Sequence, residues 1–390
     1  MSERVFVHVG PFKTGSTFLQ QVLDRNRDAL PGRGMAFPGG SSRKQAAAAM
    51  DLLGAPASGG RKREVGWDQV AEQARTAPTP AAVISAEFLC RANARQVNHA
   101  VTSLQPAEVH VVYMARDLSK VVPAMWQTLM RNGGSVSWAD FLASVRHDHA
   151  GPGSHGRRFW QHHDPRNVLA RWESRVPRER IHVVTVPPSG GDPAVLWGRF
   201  CTAIGLDAAG WSLDVRRTNE SLGSVEAGLL RRLNAELGGV RQPTYNRWVK
   251  RFIARSILEK RQDRHRFALP EEEHAWLRPR TEQIREFLAT GGYHLIGDLD
   301  DLLPRSTGAV TSPPDAAEAE EMLDVAVEVI AGLVRAMDRP GAAGRGRDAE
   351  PGPGRASFQQ SLTDRFSRVA REEAARGLRS VRRARWRTRR

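Results

Sequence analysis

Short apolar runs rich in β-branched residues alternate along this chain with segments whose apolar positions recur every three to four residues. Val5-Phe6-Val7-His8-Val9 is the first run, and it stops at the strand breakers Gly10 and Pro11. Helical spacing begins after Thr17, with Phe18, Leu19, Val22 and Leu23 on one face. It continues to about Ala29 and ends at Pro31-Gly32. Met35–Pro38 predicts a short strand, and Ala81–Ser85, Val109–Ala115 and Ile181–Val186 predict three more. Helices are predicted near Lys44–Leu53, Trp67–Arg75, Leu118–Leu129 and Trp138–Val145. An amphipathic stretch follows through Phe159, Trp160, Val168, Leu169 and Trp172. Later helices carry Leu229, Leu230 and Leu233, then Tyr245–Glu259, then Glu271–Leu288. Strands that alternate with helices predict an α/β fold, a mainly parallel sheet covered by helices on both faces. No internal repeat is visible.

The first strand–helix junction carries the chemistry. A Walker A loop needs Gly, four residues, then Gly-Lys-Ser/Thr. Gly10, Gly15 and Thr17 fit that frame, but Ser16 holds the lysine position and Lys13 lies inside the loop. The cation therefore moves to the loop apex. A loop entering a helix points several free N–H groups at one spot, and the helix dipole adds positive charge there. The plain alternative is a strand–turn–helix with a surface lysine. In parallel sheets, ligands bind beyond the carboxyl ends of the strands. Glu87 follows the Ala81–Ser85 strand and Arg116 follows Val109–Ala115, so both belong at the edge that holds Lys13. Glu87 reads equally well as a helix-capping carboxylate, and Arg116 alternatively pairs with Asp117.

Composition narrows the classes. The chain has 390 residues, of which 40% are hydrophobic, enough for a packed core. No stretch approaches the ~20 apolar residues of a membrane span. No charged–apolar–small pattern precedes the first strand, so a signal peptide is not expected. Cys90 and Cys201 cannot make a disulfide framework and fit a reducing cytoplasm. His162-His163-Asp164 looks metal-like, but adjacent helical residues face different ways and no third cluster completes a site. These read as solvated loop-edge residues. His147–Arg158 reads as a polar loop over the substrate site. The net charge is +15, and Gly341–Arg390 alone carries 14 arginines against five acidic residues, +9, which leaves +6 for the rest. The expected organisation is an α/β domain over 1–306, a linker and helix over 307–340, and a basic Gly/Pro/Arg-rich tail over 341–390. That tail is expected to be disordered or partly helical, and suits an anionic membrane surface or an acidic partner.

The order Lys13-Thr14-Gly15-Ser16-Thr17, preceded by His8 and Gly10 and followed by Leu19-Gln20, resembles a bacterial, actinobacterial-type branch of the sulfotransferases. These use 3′-phosphoadenosine-5′-phosphosulfate. Val183–Asp207 and Thr218–Gly223 are similar to the same family, so the resemblance covers about Val5–Leu303. It implies a P-loop-type fold and transfer of a sulfuryl group to a hydroxyl or amine of a small-molecule, glycan or lipid acceptor. It implies that Thr14, Gly15, Ser16 and Thr17 hold the donor's 5′-phosphate while Lys13 meets the charge that develops. Arg116 takes the family's 3′-phosphate arginine position. The family serine eight residues on is absent, since this chain has Ala124; either Ser119 substitutes from the helix N-terminus or the phosphate has fewer partners. The general base is Glu87, with His8 behind it. Asn219 and Ser221 are helix caps or donor contacts. No metal is implied, and the location implied is the cytoplasm, with the tail suited to the inner membrane surface. Two other readings compete: a P-loop kinase, with Asp117 as a Walker B aspartate, and a non-catalytic anionic-surface binder acting through the tail. Sequence-specific nucleic-acid binding finds no base-stacking motif in the body.

Overall fold

The computed structural model describes residues 1–56, 64–147, 154–215, 222–262, 267–305 and 313–338. The 341–390 tail, Thr218–Ser221 and most of the 147–155 loop lie outside the described residues. Met1–Gly332 forms one compact unit.

Among the described residues six strands make one sheet: β1 (Arg4–Gly10), β2 (Met35–Ala36), β3 (Ala81–Ser85), β4 (Glu108–Ala115), β5 (Ile181–Thr185) and β6 (His294–Ile296). Their order is β2-β3-β1-β4-β5-β6, and every pairing is parallel. From β1 the chain runs out to the edge strand β2, comes back through β3 beside β1, and then crosses to β4 on the other side. The carboxyl end of β1 therefore sits at the topological switch point, where such sheets open a crevice.

Alternation along the strands buries both faces. Phe6, Val112, Met114 and Val184 face α1 (Ser16–Arg25) and the helix Pro193–Ile204 in one apolar cluster. From α1 come Leu19, Val22 and Leu23, the spacing that one helical face requires. Val5, Val7, Val9, Val111 and Tyr113 point the other way and are equally buried. The chain's other early helices are α2 (Ser42–Leu52), α3 (Trp67–Thr76), α4 (Ala94–Ser103), α5 (Leu118–Arg131) and α6 (Trp138–Arg146). They are followed by α7 (His155–His163), α8 (Pro165–Glu173), α9 (Pro193–Ile204) and α10 (Ser224–Glu236). The short α11 (Gln242–Tyr245) leads into a π-wound helix, Asn246–Ile257, and α12 (His274–Thr290) and α13 (Ala319–Asp338) complete the series. Contacts link α3 to α4, α4 to α8, and α8 to α12, and α12 also packs on α5.

Four features differ from the sequence expectation. β6 adds an edge strand that sequence periodicity does not resolve, because three residues carry too little pattern. The stretch from Phe159 to Trp172 is two helices, not one. Asp164 accepts from the Arg166 amide at 2.9 Å and Pro165 takes the first helical position, so a new helix starts there. Helix α7 begins as early as His155, and its inward face carries Phe159, Trp160 and His163. His163 is accordingly buried and stacked on Phe159 at 4.7 Å, not solvated, and burial drives its pKa down to about 3. Finally, the segment from Tyr245 is wound wider than an α-helix, burying Val249, Ile253, Ala254 and Leu258. The five-residue steps from 249 to 254 and from 253 to 258 match that wider turn.

Candidate active site

The loop after β1 is shaped by its backbone. Register with β4 passes from His8↔Val112 to Gly10↔Tyr113, so Val9 is an extra residue that re-aims the strand end. Gly10 has φ 92°, and a Cβ there would meet the Glu87 backbone at 2.8 Å. Only glycine permits both the left-handed turn and that approach. Lys13 at the apex also has positive φ, 66°. Thr14 is buried and donates its hydroxyl to the Pro11 carbonyl at 2.6 Å, closing the loop.

Helix α1 then starts at Ser16 with Gly15 as its cap residue, which has no side chain to satisfy the first amides. The first backbone bond back to the loop comes from Phe18 N–H to the Gly15 carbonyl, 3.0 Å. Ser16 is buried, and its hydroxyl has no hydrogen-bond partner among the described residues. A buried polar atom without a partner is costly. Here it sits at a helix N-terminus, beside amides and a lysine that all favour an anion.

Lys13, Glu87 and Arg116 do come together at this edge. Arg116 donates Nη1–H to the Lys13 carbonyl at 2.6 Å and Nη2–H to Ser189 Oγ at 3.4 Å. Glu87 opens a single 3₁₀ turn after β3, and its Oε2 accepts from Gln20 Nε2 of α1 at 2.6 Å. Lys13 is held down to a pKa of about 8, chiefly by burial. Arg131 lowers it further, Glu259 and Glu87 oppose, and Arg116 lowers it again. The ammonium thus lies among two carboxylates and two guanidiniums.

Arg131 and Glu259 are the members that sequence reading missed. They pair at 2.8 Å between Nε and Oε1, with side chains only 13% and 9% exposed. Arg131 ends α5, and Glu259 lies in the 3₁₀ turn after the π-wound helix. Nothing in either local sequence marks them, since only the fold brings them to Lys13.

Other sequence candidates sit differently. Asp117 caps α5, accepting from the Ser119 amide and from the Ser119 hydroxyl, both at 2.8 Å. The Ser119 side chain is therefore buried against Asp117, and burial raises the Asp117 pKa. His8 bonds through Nδ1 to Ser85 Oγ at 2.7 Å, packs edge-on to Phe200, and is pushed down to about 4 by burial. It lies under α9, within the sheet's covering layer. Beside Arg116 a cavity of about 180 Å³ opens, lined by Arg116, Lys120, Pro188, Ser189, Asp301 and Arg305 among others. Two arginines and a lysine against Asp117 and Asp301 leave this cavity cationic.

No protein-family model matches the chain, and no curated protein sequence matches it. Among solved structures, it is similar to a sulfotransferase from Alicyclobacillus acidocaldarius, at 15% identity and a TM-score of 0.37, over 63% of this chain and 99% of that one.

Proposed function

We propose that this chain is a sulfotransferase that moves a sulfuryl group from 3′-phosphoadenosine-5′-phosphosulfate to a hydroxyl or amine. The observation that carries the reading is the Lys13–Arg116 juncture at the switch point of the sheet, beside the unpartnered Ser16 hydroxyl. Loop order, glycine frame and the placement of these three side chains support one anion-transfer site.

The residues present fit the donor. The amides from Thr14 to Thr17 and the Ser16 hydroxyl offer a cradle for a phosphate, and Arg116 offers charge for a second one. When bound, the donor supplies the activated sulfuryl group, and the chain's own residues do the rest. Lys13 meets the charge left on the phosphate oxygen as its bond to sulfur breaks, and fixed charge of this kind is the largest usual source of rate. Glu87 takes the proton that the acceptor's hydroxyl or amine loses as its bond to sulfur forms. Gln20 holds one carboxylate oxygen of Glu87, which leaves the other free for that proton. Arg116, by clamping the Lys13 carbonyl, fixes the loop for in-line attack.

Titration calorimetry with adenosine 3′,5′-bisphosphate, ATP and duplex DNA tests the assignment. The bisphosphate should bind at micromolar levels and the other two at least tenfold more weakly. Tighter binding of ATP would overturn the reading in favour of a kinase. Binding of DNA alone would overturn it in favour of a surface binder.

A further inference from the structure

We infer that α13 is a dimerisation element, pairing in parallel with α13 of a second copy of this chain. The inference does not depend on the proposed function. Helix α13 has two apolar faces. Met322, Val325 and Val329 are buried against the body, and Gly332 sits against Ile257. On the opposite face Leu323, Val327, Ile330, Val334 and Met337 are each 56–73% exposed. Their steps run four, three, four, three, which is the heptad seam of a coiled coil and not the wider stripe of a core-facing helix.

In heptad terms Val327 and Val334 occupy a positions, and Leu323, Ile330 and Met337 occupy d. Residues 322, 325, 329 and 332 then fall on c and f, directly behind the seam, so the body does not obstruct a partner helix. In parallel coiled coils β-branched residues at a with leucine at d favour two strands, a pattern that Val327, Val334 and Leu323 fit and from which Ile330 at the central d departs. The charges agree. In a parallel pair the flanking Asp324 and Asp338 face Ala319 and Leu333 of the other helix. An antiparallel pair centred on Ala331, beside Ile330, would set Asp324 against Asp338. Small flanking residues, Ala326 and Ala331, allow close approach. Pairing would bury the five exposed side chains of each copy in one continuous apolar seam, as the core of a specific interface requires. An anionic membrane is a poorer occupant, because Glu320, Glu321, Asp324 and Glu328 crowd the same helix against one Arg335.

Sedimentation of the full chain decides the matter. At micromolar concentration the wild type should run at twice its 43.2 kDa mass, and the double variant Val327→Glu/Val334→Glu at the single mass. Both sites are exposed in the single chain, so the variant should stay folded, with the wild type's circular dichroism spectrum and a melting temperature that no longer rises with protein concentration. Orientation is read by oxidation of Leu323→Cys and, separately, Met337→Cys. Each should give a covalent dimer, against a background kept low by the burial of Cys90 and Cys201. A wild type that stays monomeric at these concentrations would overturn the proposal. So would a double variant that remains dimeric, or binding to anionic vesicles that the double variant loses. Crosslinking through Ile330→Cys with none through position 323 or 337 would overturn the parallel arrangement.

Discussion

Arg116 Nη1 donates to the Lys13 carbonyl across 2.6 Å, joining the end of β4 to the loop apex after β1. One guanidinium thus serves two purposes under the proposed function: it clamps the loop and supplies charge for the donor's 3′-phosphate. Arg116→Ala should weaken binding of adenosine 3′,5′-bisphosphate by about ten- to a hundredfold, the worth of a charge-assisted contact. Binding of the analogue with a free 3′-hydroxyl should fall by only a few-fold, from loosening of the loop. Equal losses for both ligands, measured by calorimetry, would leave Arg116 with the clamp alone.

Lys13 combines a positive φ with an ammonium held at a pKa of about 8. Two variants separate these properties. Lys13→Ala keeps the strain of a left-handed residue, about 1–2 kcal/mol, while Lys13→Gly relieves it. Both should lose at least about a hundredfold in turnover, and the glycine variant should melt no lower than wild type. Since the free group loses its proton above about pH 8, bisphosphate affinity should fall as pH rises through that value, by up to ~tenfold per unit. A flat affinity profile from pH 7 to 9.5 would remove Lys13 from the donor site.

β1, β3, β4 and β5 were legible because each carries β-branched residues and is closed by glycine, proline or a charged residue, and β2 because a short apolar run stops at Pro38. The loop was legible for the same local reason: strand, glycines, lysine and helix are contiguous. What stayed hidden is what the fold assembles from distance. Arg131 and Glu259 sit on helices that carry many charges, and no local spacing marks these two as the pair that faces Lys13. Sequence spacing puts His163 at a solvated edge because the polar, Gly-rich stretch to Arg158 reads as loop, whereas α7 starts at His155 and turns His163 onto its buried face. Ser119 shows the converse case. It lies in the first turn of α5, but the Asp117 cap that holds its hydroxyl follows from a turn geometry that sequence does not fix.

Glu87 touches Gln20 through one oxygen only, which makes the isosteric change informative. Glu87→Gln keeps an acceptor for Gln20 and removes the basicity. Under the proposed mechanism turnover should drop by about a hundred- to ten-thousandfold while bisphosphate affinity barely changes. Gln20→Ala, which frees the carboxylate from its tether, should cost less, through positioning alone. If Glu87→Gln instead lowers the melting temperature and leaves turnover within a few-fold, the carboxylate is a strut between β3 and α1.

Acid should destabilise the fold through its buried histidines. His8 and His182 are pushed down to about 4, His163 to about 3, each first by burial. In the unfolded chain the same groups titrate near the ordinary 6.5. Between about 6.5 and 4 the unfolded state therefore binds more protons than the folded state, so stability rises with pH. The contribution is complete above 6.5 and is lost as pH falls through the window. His182 has further reason to stay neutral, because its nitrogens meet His110 at 3.0 Å and His294 at 2.8 Å across the strands. His8 gives the cleaner test, since Ser85 is its one hydrogen-bond partner among the described residues and Phe200 its neighbour. Replacing it by asparagine removes one proton from the balance, worth up to about 1.4 kcal/mol per pH unit. Urea unfolding at pH 7, 6 and 5 should show His8→Asn less stable than wild type at pH 7, with a shallower decline toward pH 5. Parallel declines in the two proteins would mean that His8 keeps the same proton folded and unfolded, and the acid sensitivity would then belong to His163 and His182.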